Sequence, residues 1–459
     1  MTNAELAIDS APAIPSVRRR TRRTAAAWVV WGVVVGNAVA ITWIWLNAGG
    51  ISSVQTTGEL LTSLGRITGL LGAYLALIQV LLLARIPWLE RLAGFDRLTV
   101  WHRLNGKVCL ILILAHVVLI TVGYAMMDKI SVPSEVSAIL SGYPGMITAT
   151  VGTVLLIVVV VLSLVIVRRH LRYETWYLVH LTAYAGIALG WFHQIPTGNE
   201  LTTNAAASDY WTSLYVATLA LLVAFRVVQP VHHGFRHRLR VAEVTVESPT
   251  VVSLEITGRR LERLDAQAGQ FFLWRFLTRG RWWESHPFSL SRAPDGRSLR
   301  ITVKSSGDFT RRIGSIEPGT VVSAEGPFGV FTDSVRRRDR VALIAGGIGI
   351  TPVRSLLEEI HGDLALVYRV ISEDDVIFRD ELEQLARERG IALTYVVGDH
   401  ADPAHRELLS PDHLRRLVPD LADREVYLCG PPAMADAIEQ NVRRAGVPRR
   451  FIHTERFAL

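Results

Sequence analysis

Six long apolar stretches in the first half of the chain constrain its fold more than any other feature. They cover about 25–46, 60–84, 103–125, 146–167, 176–195 and 210–228. Each is long enough to cross the roughly 30 Å hydrocarbon core of a bilayer as a helix. Beyond about residue 229, charged residues and short alternating segments replace these runs. The 459-residue chain is therefore predicted to be multi-domain, with a six-helix transmembrane bundle followed by soluble domains.

The placement of arginine predicts how the bundle is oriented. Arginines precede the first stretch and lie between stretches two and three and between four and five: Arg18, Arg19, Arg20, Arg22 and Arg23, then Arg85, Arg91, Arg97 and Arg103, then Arg168, Arg169 and Arg172. The three opposite connections contain only Lys129. By the positive-inside rule, both termini are expected on the cytoplasmic side of the plasma membrane. Because the excess positive charge lies mostly at membrane edges, it indicates anionic lipid as a partner and no nucleic acid.

The third and fifth stretches each carry two histidines at spacings that fit a bilayer. His102 and His116 are 14 residues apart, and His180 and His193 are 13 apart, which corresponds to roughly 20 Å along a helix. Two helices that run in the same direction would bring His102 level with His180 and His116 level with His193. Facing imidazoles can ligate a haem iron from both sides. The pattern therefore predicts two stacked haems.

A structural interpretation competes with ligation, because a lone histidine in an apolar helix is usually buried and hydrogen-bonded. Four ionisable side chains at matched depths favour a function, since such groups are rare within membranes. The helical phase is less regular: His102 and His116 are about 40° apart around the axis, whereas His180 and His193 are about 140° apart. The second helix is therefore expected to bend or to contain a π-bulge, unless the haems lie off its axis.

Arg66, a charged side chain in the apolar half, is a further candidate for a functional role. It lies one or two turns inside the outer end of the second stretch. One interpretation is an arginine that snorkels to the interface. The other is a cation beside the propionates of the outer haem or beside an anionic product. The sequence leaves both open.

From about residue 235 the apolar pattern changes to a period near two, which predicts a small antiparallel β-barrel. Three short motifs lie within it: His286-Pro287-Phe288-Ser289-Leu290-Ser291, Gly307-Asp308-Phe309-Thr310 and Gly326-Pro327-Phe328-Gly329. Together they supply hydroxyl groups for the edge of a flavin ring and backbone N–H groups for a diphosphate. Cys109 and Cys429 are too few ligands for an iron–sulfur cluster.

From Asp339 the pattern becomes strand, glycine loop and helix. The strand Val341–Ala345 leads into Gly346-Gly347-Ile348-Gly349-Ile350-Thr351-Pro352, a loop that can hold a diphosphate at a helix N-terminus. Further strand–helix units predict a doubly wound α/β domain. Arg369 follows the second strand, where it either meets a ribose 2′-phosphate, and so favours NADPH, or is a surface arginine.

The order of these motifs resembles the ferric reductase/NADPH oxidase superfamily, and the chain is identified as a bacterial member from about residue 60 onward. The resemblance rests on the paired histidines, the His286–Ser291 and Gly346–Pro352 motifs and Cys429–Pro432. It implies a cytoplasmic tail over 1–24, a di-haem membrane domain over 25–235, an FAD-binding barrel over 236–334 and an NAD(P)-binding domain over 335–459. It also implies that His102 with His180, and His116 with His193, ligate two b-type haems.

The resemblance further assigns roles to single residues. It implies that FAD is held by His286, Pro287, Phe288, Ser289, Ser291, Gly307 and Thr310. It implies that NADPH, with NADH as the alternative, uses Gly346, Gly347, Gly349, Thr351, Pro352 and Arg369. It also implies that Cys429 and Gly430 lie beside the nicotinamide and that Phe457 shields the flavin. Arg66 resembles an arginine near the oxygen-reducing site of such proteins. Ile120 stands where superoxide-producing relatives tend to carry a second outer histidine, which disfavours an oxidase.

The expected function is electron transfer from cytosolic NADPH through FAD and two haems to an acceptor outside the cytoplasm. A ferric- or cupric-chelate reductase is the first interpretation. A superoxide-producing NADPH oxidase that reduces O2, and an electron donor to an extracytoplasmic redox protein, are the alternatives. A six-helix transporter with a regulatory nucleotide domain is a fourth, and it would purify colourless. The oligomeric state is left open.

Overall fold

The computed structural model describes residues 16–164, 170, 173–279, 282–307, 309–399 and 401–456. The chain divides into two compact units, one formed by Ala25–Gln229 and the other mainly by Pro230–Leu459. Each unit has its own core.

The first unit is helical. Its α-helices are α1 (Ser16–Asn47), α2 (Thr57–Leu82), α3 (Pro87–Ala93), α4 (Phe95–Asp128), α5 (Val132–Gly142), α6 (Met146–Ser163), α7 (Tyr173–Thr197), α8 (Asn199–Thr202) and α9 (Ala205–Val223). A π-helical turn over Ala224–Val228 joins α9 to α10 (Gln229–His237).

Five helical segments of the described chain are long and apolar enough to cross a membrane: Trp28–Asn47, Thr57–Leu82, Arg97–Asp128, Met146–Ser163 and Ala205–His237. The remaining predicted span, the fifth (176–195), coincides with α7, which has 25 residues. It is not among the five because its histidines, tyrosines and tryptophans lower its mean hydropathy. The histidines of α7 are its candidate ligands, and together with its aromatic side chains they also lower its mean hydropathy.

Glycines allow the helices of the bundle to pack closely. A Cβ atom added to Gly69 of α2 would lie 2.5 Å from Nδ1 of His116 on α4, and one added to Gly152 of α6 would lie 2.6 Å from the Gly186 carbonyl oxygen on α7. Small residues at such contacts let helix backbones approach in the absence of a hydrophobic driving force. Helix α2 thus packs closely against α4, and α6 against α7, and α4 and α7 are the helices that carry the four histidines.

The first half of the second unit contains two antiparallel sheets. One has the order β1-β2-β5 and consists of β1 (Arg240–Ser248), β2 (Val251–Thr257) and β5 (Ser298–Lys304). The other has the order β4-β3-β6 and consists of β3 (Phe271–Phe276), β4 (His286–Ser289) and β6 (Val322–Phe328). Isolated bridges, Arg240 with Val321 and Leu290 with Ile301, join the two sheets. The predicted closed barrel is therefore replaced, in the described residues, by two three-stranded sheets around a shared core.

The second half is the predicted doubly wound domain. Its parallel sheet has the order β11-β10-β7-β8-β9, with β7 (Arg340–Gly346), β8 (Asp363–Val370), β9 (Ala392–Val397), β10 (Glu425–Gly430) and β11 (Ile452–Arg456). The helices are α11 (Ile350–Glu359), α12 (Arg379–Arg389), α13 (Pro411–Leu417) and α14 (Pro432–Arg444). Apolar clusters cover both faces of the sheet. Strand order reverses between β7 and β10, where sheets of this kind bind ligands at their carboxyl ends.

Candidate functional site

The four predicted histidines meet as two facing pairs. The ring centroids of His102 and His180 are 5.9 Å apart, and those of His116 and His193 are 6.3 Å apart. Two metal–nitrogen bonds of about 2 Å, plus about 1 Å from each nitrogen to its ring centre, would separate two axial imidazoles by roughly 6 Å. Both pairs therefore have the separation that a haem iron between them requires.

The second nitrogens of these rings are held by neighbouring helices. Nδ1 of His102 lies 3.1 Å from the Gln79 carbonyl oxygen, and Nδ1 of His116 lies 2.8 Å from that of Gly65. Nδ1 of His180 lies 3.3 Å from the Ser163 hydroxyl. A backbone acceptor on one ring nitrogen fixes the tautomer and leaves Nε2 as the metal ligand. Helix α2, which carries no ligand itself, thus orients both histidines of α4.

His193 differs from the other three histidines. Its Nδ1 atom is buried without a hydrogen-bond partner in the described part of the chain. Buried polar atoms without partners are rare in folded proteins. Within the described residues, no three His, Cys, Asp or Glu side chains converge as a set of metal ligands.

The expected π-bulge is absent from the fifth predicted span. Helix α7 is α-helical from Tyr173 to Thr197, and the π-helical turn of the bundle lies instead at Ala224–Val228. Both histidine pairs nevertheless meet. Of the possibilities that the sequence left open for this helix, the π-bulge is not the one found. The imidazoles extend several ångströms from the helix axis and can turn about two torsions, so they can meet their partners without it.

Arg66 is paired inside the bundle. Its Nε atom lies 2.7 Å from Oε1 of Glu200, whose side chain is only 2% exposed, and its second terminal nitrogen lies 3.3 Å from the Ala48 carbonyl oxygen. The sequence reasoning missed Glu200, although an acidic residue seven positions after His193 was a usable signal. A half-buried cation that is paired with a buried carboxylate differs from an arginine that snorkels to the interface.

The predicted flavin motif lies on β4. The ring of His286 stacks on that of Phe309 at 3.9 Å and 17°, and Phe288 lies nearly parallel to both. Pro287 is exposed and Ser289 is buried. Ser291 is completely buried, and its hydroxyl accepts a hydrogen bond from Thr302 at 2.8 Å.

The second flavin motif forms a tight turn. The Thr310 hydroxyl accepts hydrogen bonds from the backbone N–H groups of Ser306 and Gly307, each at 2.8 Å. The predicted diphosphate contacts at Gly307 and Thr310 therefore lie together, at the start of the 3-10 helix Thr310–Ser315.

The nucleotide loop and the Cys429 motif meet at the carboxyl edge of the parallel sheet. Ala345 pairs with Cys429 across β7 and β10, and Gly346 pairs with Arg369 across β7 and β8. A Cβ atom on Gly349 would lie 2.3 Å from the Cys429 carbonyl oxygen, so this close approach requires glycine. Gly347 has a φ of +52° and open space around it. Thr351 and Pro352 are buried in the first turn of α11.

Two predicted residues at this edge are more buried than a ligand contact requires. Cys429 is completely buried, and burial raises the pKa of its thiol well above the usual value, which keeps it neutral. Arg369 is 8% exposed and donates hydrogen bonds to the carbonyl oxygens of Val370 and Val396. Burial lowers the pKa of Arg369. Phe457 lies outside the described residues.

An ionic cluster that the sequence reasoning missed joins the two halves of the second unit. We call it the arginine clamp, and it consists of Arg300, Arg354, Glu358 and Glu381. Both terminal nitrogens of Arg300 lie 2.9 Å from the Glu381 carboxylate, and Nε of Arg354 lies 2.5 Å from it. Arg354 also binds Glu358 at 3.0 Å and donates to the Ser291 carbonyl oxygen at 2.9 Å. Burial acts to raise the pKa of Glu381, but both arginines outweigh it, and the pKa is lowered.

The membrane region, the flavin region and the nucleotide region each match a known protein family. Residues 68–191 match the ferric reductase like transmembrane component, 237–331 an FAD-binding domain and 343–440 an oxidoreductase NAD-binding domain. The chain has the architecture of the ferric reductase/NADPH oxidase superfamily. These domains indicate a flavocytochrome oxidoreductase that uses NAD(P)H. The transmembrane component and the long apolar helices indicate a multi-pass membrane protein.

Curated relatives match between about a third and a half of this chain. Ferredoxin–NADP reductase B of Sorangium cellulosum is 29% identical over 187 residues, which are 37% of this chain and 77% of the relative. NADH-cytochrome b5 reductase 1 of Lodderomyces elongisporus is 30% identical, over 34% of this chain and 55% of the relative. The ferredoxin reductase component of 3-ketosteroid-9-alpha-monooxygenase from Mycolicibacterium smegmatis is 32% identical, over 48% and 65%. The chain thus spans about half to two thirds of the last two relatives.

Solved structures also match about half of this chain. The flavohaem-like FAD/NAD-binding domain of nitric oxide dioxygenase from Vibrio cholerae is 26% identical, covers 48% of this chain and 99% of its own, and gives a TM-score of 0.41.

Proposed function

We propose that this protein carries electrons from NAD(P)H on the cytoplasmic side of the plasma membrane to an acceptor on the other side. The observation that carries the proposal is the pair of facing imidazoles at each of two levels in the bundle, 5.9 and 6.3 Å apart. When bound, FAD takes a hydride from the nicotinamide and the haems pass single electrons. The two steps require a nucleotide-binding module and a membrane bundle in one chain.

The residues of the chain bind the cofactors and orient the groups that hold them. The loop Gly346–Gly349 and the N-terminus of α11 offer N–H groups to a dinucleotide diphosphate. The turn that the Thr310 hydroxyl closes with the N–H groups of Ser306 and Gly307 is the proposed contact for the flavin diphosphate. Gln79 and Gly65 hold the imidazoles of His102 and His116 in register. The arginine clamp keeps the two nucleotide-binding domains in one orientation, so that a nicotinamide and a flavin can meet.

A ferric- or cupric-chelate reductase is the preferred activity. His116 and His193 would together occupy both ligand positions of an iron held between them, so an acceptor would take its electron without binding that metal. One turn above His116, Ile120 packs against Gly65, whose added Cβ would lie 2.9 Å from the isoleucine side chain. This position therefore presents an apolar side chain where a polar one would serve oxygen reduction.

The decisive experiment is anaerobic reduction of the purified protein by NADPH, with ferric chelate and then oxygen added in turn. Reoxidation of the haems by ferric citrate without oxygen supports the reductase. Reoxidation by oxygen alone, with dye reduction that superoxide dismutase abolishes, selects the oxidase. Slow reoxidation by both selects electron delivery to a protein partner. Haems that NADPH does not reduce would overturn the proposal.

A further inference from the structure

Helix α5 buries a carboxylate and exposes its apolar residues. Glu135 is the one buried residue of this helix and is only 1% exposed. Val132, Val136 and Leu140 of the same helix are 44%, 42% and 36% exposed. Exposed apolar residues suit contact with lipid at the rim of a bundle. A carboxylate turned inward, by contrast, costs free energy unless something compensates its charge.

Oxygen-bearing side chains surround Glu135. Its carboxyl group is within hydrogen-bonding reach of that of Asp128, the last residue of α4. The two carboxylates and the phenol of Tyr124 interact electrostatically, and the ring of Tyr124 lies 6.1 Å from that of Tyr143. We call these four residues the oxygen cluster. Tyr124 is eight positions beyond His116, or about 12 Å along α4, so the cluster lies beyond the second histidine pair.

The negative charge of the oxygen cluster is not neutralised by the protein residues described. Oε2 of Glu135 is buried and has no hydrogen-bond partner among them. Arg66 is engaged by Glu200. Lys129 caps α4 in a left-handed conformation, and no ion pair joins it to either carboxylate in the described chain. Two carboxylates in contact repel each other unless a proton or a cation lies between them.

We propose that the oxygen cluster binds a hard metal cation through the carboxylates of Glu135 and Asp128, with the phenol oxygens of Tyr124 and Tyr143 and water completing its shell. Hard cations prefer oxygen ligands, and their affinity rises with the number of ligand charges. Asp128 and Tyr143 are exposed, so the cation can enter from solvent, whereas the buried Glu135 supplies the anchoring charge.

The cluster also selects the acceptor, an inference that rests on the proposed function. A negative site attracts a weakly complexed cation more strongly than an anionic chelate such as ferric citrate, so it would favour the first among the acceptors that the protein reduces. Oxidation of one NAD(P)H to NAD(P)⁺ and a proton releases two electrons, which reduce two Cu²⁺ ions to Cu⁺ or two Fe³⁺ ions to Fe²⁺. The acceptor would then be captured at the end of the bundle nearer the His116 pair.

Binding is tested on the oxidised full-length protein without NADPH, so that its outcome does not depend on electron transfer. Calorimetric titration with Tb³⁺, a redox-inert hard cation, is expected to show one site that Glu135→Gln and Asp128→Asn each weaken about tenfold or more. Asp128 is exposed, so its substitution leaves the fold intact. Asp209→Asn removes an exposed charge from the first turns of α9 and is the matched control, with unchanged affinity.

The acceptor role is tested by steady-state kinetics on the same variants. Glu135→Gln is expected to raise the KM for Cu²⁺ several-fold, without raising the KM for ferric citrate. Equal Tb³⁺ affinity in the wild type and both cluster variants would overturn the site, and would indicate a proton shared by the carboxylates. An unchanged KM for Cu²⁺ would overturn the acceptor role. Neither result bears on whether NADPH reduces the haems, which decides the proposed function separately.

Discussion

Single residues decide whether the bundle can hold two metal-bound rings. The paired histidines are held by carbonyl oxygens of α2, and glycines make space for them. At this scale each side chain has a separable task, because ligation, ring orientation and nucleotide recognition involve different residues. Three substitutions test these tasks.

His116→Ala is expected to remove one haem and to abolish electron transfer across the bundle. Reduction of FAD by NADPH should be retained, because the nucleotide-binding residues lie in the other unit. The haem content is measured by pyridine haemochromogen assay and flavin reduction by stopped-flow absorbance. His361→Ala, at an exposed site in the α/β domain, is the control. If the purified His116→Ala protein keeps both haems, the ligand assignment is wrong.

Gly69→Ala is expected to disturb the His116 ring without removing the ligand. The added Cβ would lie 2.5 Å from Nδ1 of His116, closer than packed atoms tolerate, so the ring or the helix must move. We expect a shifted Soret band and a shifted midpoint potential for one haem. Gly36→Ala, in α1 with nothing within 4 Å of the new atom, should leave both unchanged. Identical spectra in the two variants would contradict the geometry.

Arg369→Ala is expected to raise the KM for NADPH more than the KM for NADH. Because one terminal nitrogen of Arg369 is engaged by the Val370 and Val396 carbonyl oxygens, the expected contact with a 2′-phosphate is through the other. That contact contributes only to the phosphorylated cofactor, and a charged hydrogen bond is worth about 1.5–3 kcal/mol. NADH is the internal control, because it shares every other contact. Equal increases for both cofactors would mean that the arginine only supports the carbonyl ends of β8 and β9.

Ion pairs join secondary-structure elements across the boundary between the two halves of the second unit. The arginine clamp connects β5 of the first half with α11 and α12 of the second. Further contacts run alongside it, since the Glu358 and Glu359 carboxylates accept hydrogen bonds from the backbone N–H groups of Ala293 and Ala268. Helix α11 thus follows directly after the nucleotide loop and also makes contacts that hold the flavin domain.

Arg354→Met is expected to lower the stability of the soluble unit by about 1–3 kcal/mol, because it leaves part of a partly buried carboxylate pair uncompensated. The measurement is the temperature at which bound FAD is released and its fluorescence rises. Arg415→Met breaks an exposed ion pair with Asp412 and should change this temperature little.

The pH dependence of the same measurement identifies the cause. The clamp lowers the pKa of Glu381, so its stabilisation is present above the ordinary glutamate pKa of about 4.3 and is lost as the pH falls through the lower folded value. The difference between wild type and Arg354→Met should therefore shrink in acid. A constant difference down to that range would assign the effect to packing and not to charge.

The whole molecule combines two units that do different chemistry. We expect the purified protein to contain about two haems and one flavin per chain, as two histidine pairs and one FAD-binding domain require. Absorbance after haemochromogen extraction and flavin fluorescence after denaturation give the two ratios. A colourless, well-folded preparation from cells supplied with haem would instead support a transporter with a regulatory nucleotide domain.

Much of the fold followed from the sequence because its signals are local. The apolar runs predicted all five of the segments long and apolar enough to span, and a period near two followed by strand–loop–helix units predicted the soluble architecture. Spacing along the third and fifth runs also identified the four histidines. These features depend on helix rise, strand alternation and glycine-rich turns, which neighbouring residues set among themselves.

Tertiary structure alone decided the contacts between residues distant in sequence. Glu200 as the partner of Arg66, the carbonyl oxygens of α2 behind the histidines, the arginine clamp and the oxygen cluster all join separate elements. The sequence also could not decide between a bend, a π-bulge and off-axis haems for α7, since ring positions depend on side-chain torsions and helix packing. Composition and periodicity specify which face of an element is apolar, whereas the pairing of charges depends on how elements are packed in three dimensions.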